Sequence, residues 1–115
     1  MARASLADRL ADMLETIEHV ERQAAGKSLA DYQGDRVLRD VVEQSVERLS
    51  EASRHIPEDL KQSAPHIPWA DVASIGNVLR HGYFGIDDEQ VWSVVVDDFA
   101  DLKAAIRSFL AQSSR

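Results

Sequence analysis

The sequence has 115 residues, no cysteine and 44% apolar residues, and its 13 Lys plus Arg against 20 Asp plus Glu give a formal charge of −7. That length makes a single domain over residues 1–115, and the lack of cysteine excludes disulfide frameworks, Cys-zinc centres and thiol nucleophiles. The acidic balance excludes a broad nonspecific nucleic-acid surface but leaves room for a local basic site.

No stretch reaches the ~18 apolar residues of a membrane span. The first ten residues carry Arg3, Asp8 and Arg9 and lack the apolar run of a signal peptide, so a cytoplasmic protein is expected. Leu6, Leu10, Met13, Leu14, Ile17 and Val20 recur every three or four residues. They predict an amphipathic helix of about five turns, with Ser5 and Asp8 as its capping box and Gly26 at its end. Residues 27–34 read as a connection. A second stripe runs through Val37, Leu38, Val41, Val42, Ser45, Val46, Leu49 and Ala52 on a long helix that stops before Pro57. Its polar face alternates in sign through Arg36, Arg39, Asp40, Glu43, Glu47, Arg48, Glu51 and Arg54. A short helix is expected over 58–62.

Pro68 suits the first turn of the next helix, which turns Trp69, Val72, Ala73, Ile75 and Leu79 inward and breaks at His81-Gly82-Tyr83-Phe84-Gly85. Asp87 is placed to cap a further helix bearing Val91, Trp92, Val94 and Val95. Residues 98–110 continue or restart it, with Phe99, Leu102, Ile106 and Phe109 inward. The β-branched run at 94–96 suggests a strand by itself, but no partner strand stands elsewhere. The expected fold is all-α: an antiparallel bundle of about five helices, two long ones first and shorter ones after. Trp69 and Trp92 belong to the core or to an interface between copies.

Four histidines are present, and none forms a His-x-x-x-His pair, so no metal site is expected. His19 reads as a surface residue, His55 as a cation at a helix end, and His66 as a loop residue. His81 differs because Arg80, Tyr83 and two glycines stand beside it where a helix stops. A histidine there is a general acid or base near neutral pH, and an adjacent cation holds a phosphate. A helix end closed by a Tyr–His hydrogen-bond network is the structural alternative. Residues 87–101 hold six acids and no Lys or Arg, either a solvated face or a docking face for a basic partner.

Three blocks in order resemble the HepT-like group of the HEPN superfamily. They are Leu49-Ser50-Glu51-Ala52, Ile67-Pro68-Trp69, and Asn77 followed by His81-Gly82-Tyr83-Phe84-Gly85-Ile86-Asp87 and Val91-Trp92. Asp98-Phe99-Ala100-Asp101-Leu102 resembles the family's closing block without its proline. The resemblance implies a HEPN-like bundle, a homodimer and a toxin that cleaves RNA without a metal or other cofactor. It also implies an MNT-type nucleotidyltransferase antitoxin as partner, in a type VII-like toxin-antitoxin pair. In that reading His81, Arg80 and Asn77 are catalytic, and Tyr83 is the tyrosine that receives an adenylyl group. Arg36 and Arg39 contact RNA if the second helix lines the dimer cleft. Glu51 is expected to be buried and paired with Arg80 or a helix end. The family's arginine stands five residues before the histidine, where this sequence has Gly76. That departure sets an alternative beside the active enzyme: a catalytically degenerate HEPN-fold subunit that binds the nucleotidyltransferase or a nucleotide. Gly76 itself is either a lost cation or a point of close helix packing.

Overall fold

The computed structural model describes residues 5–81 and 88–113, the side chains of Arg80, His81 and Ser113 excepted. In chain order the elements are α1 (Leu6–Ala24), α2 (Leu29–Gly34), α3 (Arg36–Ser53), α4 (Glu58–Gln62), α5 (Trp69–His81) and α6 (Asp88–Ser93). A π-helical stretch (Val94–Asp98) then leads into α7 (Phe99–Ser113). Among the described residues there is no strand, so the β-branched run belongs to a helix as expected. No described helix is long and apolar enough to cross a membrane.

Local chemistry sets the helix starts. The Ser5 side chain accepts from the Asp8 amide, and Asp8 accepts from the Ser5 amide, the reciprocal cap expected for α1. Gly26 lies just past that helix at φ +74°, a conformation that suits glycine. The expected connection over 27–34 is corrected: Ser28 and Asp31 form a second reciprocal cap and start α2. The Asp31 carboxyl is held below the usual range by its bonds to the Ser28 backbone and hydroxyl. Asp35 caps α3 by accepting from the Leu38 amide.

The long helices pack through the predicted stripes. Leu10, Met13, Ile17 and Val20 of α1 meet Leu38, Val42, Val46 and Leu49 of α3 and Phe99, Leu102, Ile106 and Phe109 of α7, all buried. Val37 departs from its expected place in the stripe and is 73% exposed. Tyr32 of the short α2 is fully buried and stacks on Trp92 at 4.9 Å between ring centroids. Trp69 stacks on Phe109 at 6.1 Å and donates its indole N–H to the carbonyls of Lys61 and Ala64 at 3.2 and 3.1 Å. That contact fixes the start of α5 against α4 and α7. Ion pairs staple the outside: Arg48 to Asp12 at 2.7 Å and Arg107 to Glu18 at 3.3 Å near the surface, and the partly buried Lys103 to Glu21 at 2.7 Å.

Candidate functional site

The site is set by how α5 lies on α3. Ser50, buried on α3, donates its hydroxyl to the Ala73 carbonyl at 2.9 Å and accepts from the Gly76 amide at 3.1 Å. The Arg54 guanidinium donates to the same Ala73 carbonyl at 2.9 Å. A Cβ placed on Gly76 would stand 2.5 Å from the Ser50 hydroxyl oxygen and 2.7 Å from its Cβ. Gly76 is therefore a point of close approach between two helices. The position where the family carries its arginine is occupied by the flank of α3.

Later residues on α5 are opposite earlier residues on α3, so the two helices run antiparallel. Consequently the last turns of α5 and the first turns of α3 share one end of the bundle. Asn77 is exposed on the penultimate turn of α5. His81 follows it four residues later, one turn on and on nearly the same face. The backbones of Arg80 and His81 close α5, and their side chains lie outside the described residues, as do Gly82, Tyr83 and Asp87. The expected roles of Arg80, His81 and Tyr83 thus fall outside the described geometry.

At about 1.5 Å per residue, His81 lies about 10 Å beyond the level of Ser50, and Glu43 of α3 lies at that same level. Glu43 also continues the line through Ser50 and Glu47 that faces α5, by the helical four- and three-residue spacing. Its carboxyl is held above the usual range by burial first, then by the charges of Asp88 and Asp40. Sequence reasoning placed Glu43 on the solvated face. The signal that would have found it is its seven-residue spacing from Ser50. Tyr32 stands at this end too: burial, then the charges of Glu43 and Asp88, push its phenol well up. The Tyr32 hydroxyl has no hydrogen-bond partner among the described residues.

The predicted phosphate contacts divide. Arg36 is almost fully exposed, 4.0 Å from Asp40. Arg39 donates to the Gln33 carbonyl and so ties α3 to the end of α2. Both lie at the His81 end, about 11 Å and 6 Å farther along the axis by helical rise. Glu51 corrects its expected burial: it is exposed and sits 3.7 Å from His55. His19 is exposed beside the Arg48–Asp12 pair. Among the described residues no group of three or more His, Cys, Asp or Glu is arranged to hold a metal.

Comparison with known proteins gives one family: residues 13–109 match the family described as "Ribonuclease HepT-like". A "Probable ribonuclease HepT" of Thermococcus cleftensis is 35% identical over 96 residues, covering 84% of this chain and 87% of that protein. A "Putative RNase" of Methanocaldococcus jannaschii is 28% identical over 106 residues, 92% of this chain and 97% of that protein. A longer protein of the same organism, "Gamma-glutamylcyclotransferase and putative RNase", is 31% identical over 100 residues, which are 87% of this chain and 45% of that protein. No solved structure matches the chain.

Proposed function

We propose that this chain, which belongs to the ribonuclease HepT-like family, cleaves RNA at the end of the bundle where α5 stops. The observation that supports the reading is the four-residue helical spacing between His81 and the exposed Asn77 in the last two turns of α5, inside a segment matched to a ribonuclease family. In the proposed step the ribose 2′-oxygen attacks the adjacent phosphorus as the P–O5′ bond breaks. His81 takes the 2′-hydroxyl proton or delivers one to the leaving 5′-oxygen, water makes the other transfer, and the products are a 2′,3′-cyclic phosphate and a 5′-hydroxyl. Arg80 supplies the cation for the charge that builds on the phosphoryl oxygens, and Asn77 adds a donor. Arg36 has room to hold a flanking phosphate. The chemistry needs no metal, and two copies of the chain form the cleft.

The regulatory half of the proposal is adenylylation of Tyr83 by an MNT-type nucleotidyltransferase antitoxin. The added phosphate and its bulk stand two residues from His81 and repel an RNA phosphate. The pair then works as a toxin and its antitoxin.

The test is cleavage of a labelled RNA by the purified chain in excess chelator, beside His81→Ala and Arg80→Ala. Cleavage by the wild type, reduced by about a hundredfold in His81→Ala, is expected. Wild type and His81→Ala alike in inactivity would favour the degenerate subunit, the reading that Gly76 supports by leaving no room for an arginine. Intact-mass measurement after incubation with ATP and an MNT-type nucleotidyltransferase tests Tyr83: the wild type gains adenylyl mass and Tyr83→Phe does not. Modification of both refutes that assignment.

A further inference from the structure

The flank of α5 beside its contact with α3 carries apolar residues that are only partly buried. Val72, Ile75 and Leu79 form one wall of a groove of about 400 Å³. Val91, Val94 and Leu102 of the helical run α6–α7 form the other, and Val46 and Leu49 of α3 floor it. Val78, on the groove edge, is 52% exposed. The π-helical stretch supplies two of the lining residues, Val94 and Asp98. Such stretches recur at functional sites because the wider turn re-aims side chains.

Asp71, Asp98 and Asp101 border the groove together with His66, and no described lining residue is Lys or Arg. The Asp98 carboxyl is held above the usual range by burial first, then by the charges of Asp97 and Asp101. An apolar trough with an acidic border matches a helix whose apolar stripe is bordered by cations. A second copy of this chain, at −7, would bring its own acidic border to the contact. RNA phosphates would meet the same repulsion.

We propose that the groove between α5 and α6–α7 docks an amphipathic helix of a partner protein, with leucine-like residues in the trough and Lys or Arg against Asp71, Asp98 and Asp101. The inference stands on the groove and its rim and does not depend on RNA cleavage. Binding and cleavage are therefore measured separately.

The test uses the full chain and two synthetic peptides of about five helical turns, ~18 residues each. Both carry the same leucine stripe at i, i+3, i+4 and i+7; one is flanked by lysines and the other by glutamates. Binding is followed by fluorescence anisotropy and sedimentation velocity. The lysine peptide is expected to bind, and the glutamate peptide is not. Val78→Glu weakens binding, because a charge enters the trough edge. The triple change Asp71→Asn, Asp98→Asn, Asp101→Asn weakens it by about tenfold. Changing Glu58 and Asp59 of α4 to amides, away from the groove, leaves it unchanged. Equal binding of both peptides, absence of binding, or equal weakening by the α4 control would overturn the proposal. So would a dimer of the chain alone that Val78→Glu disperses, since the groove would then be filled by a second copy. Thermal unfolding of each variant separates a lost contact from a lost fold.

Discussion

Replacing Gly76 with alanine tests the close approach on which the placement of α5 depends. In an ordinary helix interior the change would stabilise by about 0.5–1 kcal/mol. Here the new methyl would stand 2.5 Å from the Ser50 hydroxyl oxygen and 2.7 Å from its Cβ. Ordinary contact needs ~3.5–4.0 Å between carbons, so α5 must move off α3 by about 1 Å. Overpacking of this kind costs about 1–3 kcal/mol. The shift also weakens the paired bonds from Ser50 to Ala73 and Gly76, worth about 1 kcal/mol. The net expectation is a loss of about 1.5–3 kcal/mol, near 6–12 °C in Tm at about 4 °C per kcal/mol for a chain this size. Urea and thermal unfolding followed by circular dichroism measure it. Ser50→Gly in the same background removes both clashing atoms and recovers about 1 kcal/mol or more of coupling. Ser50→Ala keeps the 2.7 Å Cβ contact and recovers little. A neutral or stabilising Gly76→Ala, or equal rescue by Ser50→Ala and Ser50→Gly, would refute the packing argument.

Tyr32→Phe keeps the stack on Trp92 and removes a buried hydroxyl without a described partner; a gain of about 1 kcal/mol in urea unfolding is expected, and a loss would show that the hydroxyl is bonded. Glu43→Gln addresses a carboxyl whose proton affinity is raised on folding by burial and by Asp88 and Asp40. The folded state then holds that proton more firmly than the unfolded state, so wild-type stability falls as pH rises from the ordinary glutamate value of 4.5 through the raised folded value. The glutamine variant is expected to be the more stable at neutral pH, and its advantage shrinks as the pH drops below that window. An advantage that does not change across this range would contradict the placement of Glu43 among like charges. Trp69→Phe retains the ring against Phe109 but leaves the carbonyls of Lys61 and Ala64 without the indole donor. A loss of about 1–2 kcal/mol is expected in the same assay, and an unchanged Tm would mean that solvent replaces the donor.

The long elements were legible because their burial follows the 3.6-residue period: Leu10, Met13, Ile17 and Val20 of the α1 stripe and the inward positions of α7 are core, with Leu6 and Leu14 partly buried against it. What failed did so for local reasons. Helix α2 spans six residues, too few to show a period, yet Ser28 and Asp31 carry the same serine–acid spacing that was readable at Ser5 and Asp8. Its Tyr32 became core because Trp92 offers a ring to stack on, a contact 60 residues away that no window contains. Val37 stands next to Leu38 in the first turn of α3, about 100° round the helix, and the core takes Leu38 instead. Asn77 and His81 stand out in the sequence by type and spacing, and the structure describes the exposed Asn77 side chain. Glu43 does not stand out, because the polar face and the α5-facing line cross there, and only the direction of α5 decides which one governs.

That direction also bears on the departure at position 76. A residue every ~100° around the helix puts positions 76 and 80 about 40° apart and one turn apart, on one line along α5. Position 76 on this line abuts α3 through Ser50, and a side chain there forces α5 off α3. Position 80, the next on the line, is an arginine. The backbone at 80 lies about 6 Å nearer the helix end that carries His81. Glycine at 76 thus has a packing reason of its own: it lets α5 approach α3 at the place where the family carries its arginine.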